Sequence, residues 1–276
     1  MTPPYQEGKV LCDLHAHPSA QGSLEEKITL LGSPGLVGLA AWHNSQSILT
    51  YEQAADIVHK DPSFKEITSG QLAQFREGYF ARTQEIPVGQ FHLLAVGCAG
   101  KYFRQSDINN YDIIQDAVND IHSRGGIAIL NHPFVVMGGL LYRSANLREE
   151  RFIKKAGEIV DEIEVHNASC INLVPYVMDF RKANSKAAAL AENSRFQGVA
   201  ASDCHGEYAQ VKVCGIYVDE KVIQEQGMKG ITDAITSGNF QRYGEAEQGP
   251  YLSWGNWLKG MMWNIGVTIS EVIGRT

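Results

Sequence analysis

Six histidines and one aspartate carry the chemistry this chain can be read for. His15 and His17 stand two residues apart in LCDLHAHPSAQGS, at the end of an apolar run that includes Val10, Leu11, Cys12 and Leu14. In extended backbone, residues i and i+2 share one face, so both imidazoles can close on one metal ion. His43 follows GLAAW, His92 lies in QFHLLAVG, His132 in GGIAILNHP, and Asp203 and His205 in SDCHG. Mixed imidazole and carboxylate donors suit zinc, manganese or iron. His166 ends another apolar run and reads equally as pocket lining or ligand. His59 and His122 fall in predicted helices among polar neighbours and read as surface groups.

The elements that must position these residues follow from hydrophobic patterning. Short apolar runs at 10–14, 35–41, 90–97, 127–130, 159–165 and 198–201 predict strands. Helical spacing or caps predict helices at 23–32, 50–59, 111–123, 149–157 and 180–193. Residues 76–85 read as a polar connecting stretch. Alternating strands and helices give a mainly parallel sheet, open or closed. In a closed α/β barrel the strand C-termini converge on one face, which would gather the scattered histidines into one cluster. On regular strands Cys12 and Cys204 point away from the ligand positions and belong to the core. Glu164 reads as a structural acceptor. Lys101, Arg104 and Arg143 follow predicted strands and read equally as phosphate contacts or solvated charge.

With 276 residues and 44% apolar content, one large globular domain is expected. A net charge of −7 argues against a protein that binds nucleic-acid polymers by bulk electrostatics. Five scattered cysteines without a C-x-x-C pair suit a reducing, cytoplasmic setting. The first residues lack an apolar signal core, and no run is long enough to span a membrane. Residues 251–276 place Trp254, Trp257, Met261, Met262 and Ile265 at helical spacing. They read as an apolar extension packed on the domain or at a homodimer interface.

In order along residues 10–245 the motifs resemble the PHP (polymerase and histidinol phosphatase) family. DLHAH resembles its opening H-x-H, GLAAWHN its second motif, FHLLAVG its central strand, and GGIAILNHP its Gly-Gly-strand-His-Pro motif. DEIEVHN resembles a strand that usually reads G-I-E-V-x-N, and SDCHG the closing S-D-x-H. The resemblance implies a distorted (β/α)7 TIM-like barrel over 1–250 and a metal-dependent phosphoesterase. It implies that Asp203, His15 and His17 hold one ion and that His92 and His132 hold a second. His43 and His205 would close a third position, or protonate the leaving oxygen and orient the phosphate. Three acidic family positions are neutral here: Gln21, Trp42 and Gln71, the last standing where a bridging glutamate is usual. One or two ions per chain are therefore expected, with Glu85 or Glu77 as substitutes for the bridge.

The sequence thus reads as a cytoplasmic hydrolase that cleaves a small phosphorylated metabolite or nucleotide through a metal-activated hydroxide. Two other readings compete. One is a PHP-like protein that binds metal or ligand with little or no catalysis; the other is an amidohydrolase-type metal hydrolase, which shares the D-x-H-x-H opening.

Overall fold

The computed structural model describes residues 6–42, 47–104, 114–138, 141–169, 181–206 and 208–244. His43, Cys170 and the Trp- and Met-rich stretch 251–276 lie outside the described residues. Among the described residues, twelve strands form one sheet and two more a separate hairpin, with helices packed outside. β1 (Lys9–Pro18) pairs in parallel with β2 (Gly35–Trp42), and β2 with β5 (Gly78–Val88). The hairpin β3 (Lys65–Thr68) and β4 (Leu72–Phe75) adds to the outer edge of β5. β6 (Phe91–Val96) is antiparallel to both β5 and β7 (Ile127–Asn131). β10 (Glu162–Asn167) and β11 (Val199–Ala201) continue in parallel. Two residues later β12 (Cys204–Gly206) pairs with β1, which nearly closes the sheet into a barrel. β13 (Gly215–Asp219) and β14 (Gln241–Tyr243) extend it antiparallel beyond β1, while β8 (Val135–Gly138) and β9 (Leu141–Ser144) form the separate hairpin.

The barrel-like α/β architecture agrees with the sequence reading, but the strand count and order are not a plain (β/α)7 alternation. The largest departure is β5, which the sequence presents as a polar connection. Thr83, Gln84 and Glu85 are buried and Arg82 is half-buried, and each has a partner. Arg82 donates to Cys98 O (3.0 Å), Thr83 Oγ1 to Leu14 O (3.1 Å), and Gln84 exchanges two hydrogen bonds with the Phe103 backbone. Because β5 turns directly into β6, β6 runs backwards, and His92 at its start lies at the same end as the C-termini of the parallel strands.

Capping boxes start three helices: Ser23 with Glu26 at α1 (Leu24–Gly32), Thr50 with Gln53 at α2 (Tyr51–Val58), and Asn146 with Glu149 at α4 (Leu147–Ala156). α1 and α2 pack Leu30, Leu31, Ala54 and Val58 on the outward residues Val37, Leu39 and Phe80. α3 (Ile114–Ser123), α4 and α5 (Arg181–Glu192) cover Leu93, Leu130, Ile163 and Val165. α6 (Glu220–Thr236) adds Ile223, Met228 and Ile231 to a third cluster containing Val10, Cys12, Leu14, Leu36, Ala81, Leu94 and Ile129. Among the described residues no helix is long and apolar enough to cross a membrane.

That third cluster is the apolar floor beneath the histidines, and β1 joins floor and site through a bulge. Val10, Cys12 and Leu14 belong to the floor, whereas Ala16 packs outward with α1 and α2. The register of β1 against β2 shifts between Asp13 and Ala16, so inward positions change from even to odd numbers. Cys12 is core as expected, yet it is in the inner cluster below the ligands, because the strand is not regular. The bulge needs Gly38, where a Cβ would lie 2.3 Å from Leu14 O. Gly38→Ala should therefore lower unfolding stability by about 1–3 kcal/mol, since backbone must move to admit one methyl group. Urea titration checks this; an unchanged midpoint and slope would mean the bulge yields freely.

Candidate metal centre

Four strands and two strand-end connections deliver donors to one buried volume. β1 supplies His15 and His17, β5 supplies Glu85, β6 supplies His92, the turn after β7 supplies His132, and the β11–β12 link and β12 supply Asp203 and His205. His15, His17, Glu85, His92, His132 and Asp203 are all buried, and His205 is partly so. Among the described residues, three groups have ligand atoms close enough to share an ion: His15, His17 and Glu85; His17, Asp203 and His205; and Glu85, His92 and His132.

Glu85 links two of these groups. Its Oε1 lies 2.7 Å from His92 Nδ1, 3.3 Å from His132 Nε2 and 3.6 Å from His15 Nε2. Its Oε2 lies 3.1 Å from His17 Nε2. Asp203 Oδ1 lies 3.3 Å from His15 Nε2 and 3.6 Å from His17 Nε2. Glu85, one of the two substitutes expected for the bridge that is missing at Gln71, thus takes the linking place. Gln71 sits in the β3–β4 turn, accepting from Arg82 N and donating its own N–H to Thr68 O. Gln21 and Glu77 are exposed and also lie outside the donor groups. The sequence signal for Glu85 is the period of two through Tyr79, Ala81, Thr83 and Glu85, which is legible only once 78–88 is taken as a strand.

Ring protonation follows from the partners. His17 Nδ1 lies 2.6 Å from Ala40 O and His205 Nδ1 2.8 Å from Asp203 O; a carbonyl only accepts, so both nitrogens carry hydrogen. His15 Nδ1 faces Glu164 Oε1 at 3.1 Å and donates likewise. His15 Nε2 and His17 Nε2 then face each other at 3.1 Å, and two lone pairs at that distance need a proton or a metal cation between them. His132 Nδ1 and Asp203 Oδ1 are buried with no hydrogen-bond partner among the described residues. Buried polar atoms without partners, facing imidazoles and buried carboxylates together fit divalent cations.

The electrostatics agree. Burial alone would lower the His15 pKa, but Asp203, Glu85 and Glu164 hold it well above its ordinary value. Burial likewise opposes protonation of His132, yet its hydrogen bond to Glu85 and the surrounding carboxylates push it to about 9. Burial would raise Glu85 and Asp203, and the imidazoles overcome it: Glu85 is held well below the usual carboxylate range and Asp203 is lowered. For His205, burial prevails and takes its pKa to about 4.

The remaining candidates separate clearly. Trp42 fills space beside the donors, its ring centroid 5.8 Å from those of His17 and His92 and 6.1 Å from that of His205. His166 belongs to none of the donor groups; burial, with Arg242 adding to it, lowers its pKa to about 4. Lys101 and Arg104 are exposed on the segment after β6, which leaves the barrel at the end away from His92. The side chain of Arg143, like His43, lies outside the described residues. His59 and His122 are exposed, as expected.

No protein-family model matches the chain, and no curated protein matches it in sequence. Solved structures do. PsfC from Pseudomonas syringae PB-5123 superposes with a TM-score of 0.51 at 11% identity, covering 95% of this chain and 98% of PsfC. Endonuclease Q in complex with a 27-mer duplex substrate carrying an abasic lesion gives 0.46 at 14% identity, over 84% of this chain and 58% of that one. The lesion-specific endonuclease PfuEndoQ from Pyrococcus furiosus gives 0.44 at 13%, over 85% and 57%. This chain thus spans less than two thirds of the endonucleases' length, whereas its likeness to PsfC runs through nearly all of both chains and is a likeness of fold.

Proposed function

We propose that this protein is a metal-dependent phosphoesterase that hydrolyses a small phosphorylated metabolite or nucleotide in the cytoplasm. The observation that carries this reading is the convergence of buried His15, His17, Glu85, His92, His132 and Asp203 with lone pairs directed at one another. His15, His17 and Asp203 would hold one cation, His92 and His132 a second, and Glu85 would contact both. Divalent cations held by this set supply Lewis acidity, offsetting phosphoryl charge and making water acidic near neutral pH. Glu85 and Asp203 stay ionised, His15 and His17 present Nε2, and the apolar floor excludes water from below. His205 has its Nδ1 hydrogen committed to Asp203 O and is neutral at pH 7, so it offers a lone pair at Nε2. That favours a ligand role over proton donation to the leaving oxygen. Net charge of −7 favours a small substrate over a nucleic-acid polymer.

A second reading, a metal-binding barrel with little catalysis, draws on Trp42, whose indole crowds three of the site's imidazoles. Metal analysis separates these readings. Protein purified without chelators should carry at least one divalent ion per chain, lost in the His132→Ala, Asp203→Ala double variant. Turnover of phosphate monoesters should then fall at least ~100-fold in Glu85→Gln and stay unchanged in Gln71→Glu. Bound metal without turnover would favour the second reading, and a folded, metal-free protein would sink both.

The pH dependence has a definite sign. In the metal-free protein His15 and His132 retain protons at neutral pH, because their pKa values lie above the ordinary imidazole range. An incoming cation must displace those protons, so apparent affinity should rise with pH up to about 9 and fall steadily below it. Zinc titrations by calorimetry in buffers of different ionisation enthalpy should show net proton release at pH 7. Binding that releases no proton would contradict the assigned ligands.

A further inference from the structure

We propose that Glu164 is a positioning residue whose two oxygens orient three metal-facing groups at once: the His15 ring, the His132 backbone and, through Asn167, the Asp203 carboxylate. This rests on the metal reading given above. Glu164 and Asn167 are buried on β10. Glu164 Oε1 accepts from His15 Nδ1 at 3.1 Å, which leaves His15 Nε2 as the metal-facing atom. Glu164 Oε2 accepts from the His132 backbone N–H at 2.8 Å and from Asn167 Nδ2 at 2.9 Å. Asn167 Nδ2 also donates to Asp203 Oδ2 at 3.0 Å, and Asp203 Oδ1 is the oxygen left without a hydrogen-bond partner among the described residues. The Asn167 amide cannot be turned round without aiming its oxygen at two carboxylates.

The backbone is shaped for this arrangement. His132 has φ 25° and Asp203 φ 48°, conformations that cost a non-glycine residue energy and persist only where surrounding bonds hold them. Glu164 holds the first of these directly. On a regular strand Glu164 and His166 would share a face and Asn167 would oppose them. The register of β10 against β11 shifts between Glu164 and His166, which brings Asn167 beside Glu164 instead. Two buried polar side chains three residues apart thus act on ligands from β1, the turn after β7 and the β11–β12 link.

Glu164→Gln gives a sharp test, because it replaces one acceptor oxygen with a donor NH2. The His132 N–H cannot change its role, so the amide oxygen is expected to turn towards it and the NH2 towards His15 Nδ1. His15 would then carry its hydrogen on Nε2, where the metal must bind. Nitrogen-15 NMR of the zinc-loaded protein, with His15 assigned by His15→Asn, should show Nδ1–H and a metal-bound Nε2 in the wild type. In Glu164→Gln that signature should be lost and zinc affinity, measured against a chelating dye, should fall about 10–100-fold. Glu162→Gln, which removes a carboxylate from the same strand outside the cluster, should leave both unchanged. Should Glu164→Gln fail to fold, Asn167→Ser should weaken zinc binding while His15 keeps Nδ1–H. Wild-type zinc affinity and an unchanged His15 signature in both Glu164→Gln and Asn167→Ser would overturn the proposal alone. Absence of zinc uptake by the wild type would overturn the metal reading and this proposal with it.

Discussion

A glutamate carboxylate buried among four imidazoles is the interaction on which the rest of this barrel turns. Removing Glu85 and Asp203 from water costs several kcal/mol each in the absence of compensation, and the compensation here is imidazole charge or a cation. The histidines therefore cannot be treated as independent ligands. His92 and His132 are held by Glu85, His15 lies between Glu85, Asp203 and Glu164, and His17 shares both of the first two. Without metal, protons must fill the role of the missing positive charge. The raised pKa values of His15 and His132 and the lowered values of Glu85 and Asp203 express that one balance.

Holding such a cluster requires the barrel wall to close beside it, and Asp13 contributes at the junction. Its Oδ1 accepts from Ser202 N at 3.0 Å and its Oδ2 from Lys212 N at 2.8 Å, while Asp203 N donates to His15 O. The link between β11 and β12 is thereby fixed against β1 immediately beside the ligands. Lys212 ties the same junction to α1, donating from Nζ to Leu30 O and Ser33 O, carbonyls that the helix end leaves without helical partners. Burial, which disfavours the charged form of each, raises the Asp13 carboxyl to about 6 and lowers the Lys212 ammonium to about 7.

Irregular backbone does as much positioning as regular backbone. The bulge in β1 changes which side chains face inward, and with them an apolar floor becomes a polar site within one strand. The shift in β10 does the same for Glu164 and Asn167. Positive φ at His132 and Asp203 aims two more ligands from residues just past strand ends. The two register shifts work because side chains alternate strictly in extended backbone, so one extra residue is enough to reverse a face.

The sequence by itself determined the α/β class, five of the helices and the six strands β1, β2, β6, β7, β10 and β11, because apolar periodicity is a local property; its His-x-His and Ser-Asp-x-His spacings pointed to His15, His17 and His205. It also marked His59 and His122 as surface groups and Cys12 and Cys204 as core. Tertiary structure decided what depends on partners distant in the chain. Residues 78–88 are a strand although polar, since Arg82, Thr83 and Gln84 find their acceptors on other segments. Glu85, rather than Gln71, links the donors, because β5 runs beside β2 and β6 while Gln71 remains in a turn at the sheet's edge. His166 falls outside the cluster and Asn167 inside it, because a pairing shift against β11 overrides the period of two. Local pattern fixes which face a residue would take in an ideal strand; register with a neighbour fixes the face it takes.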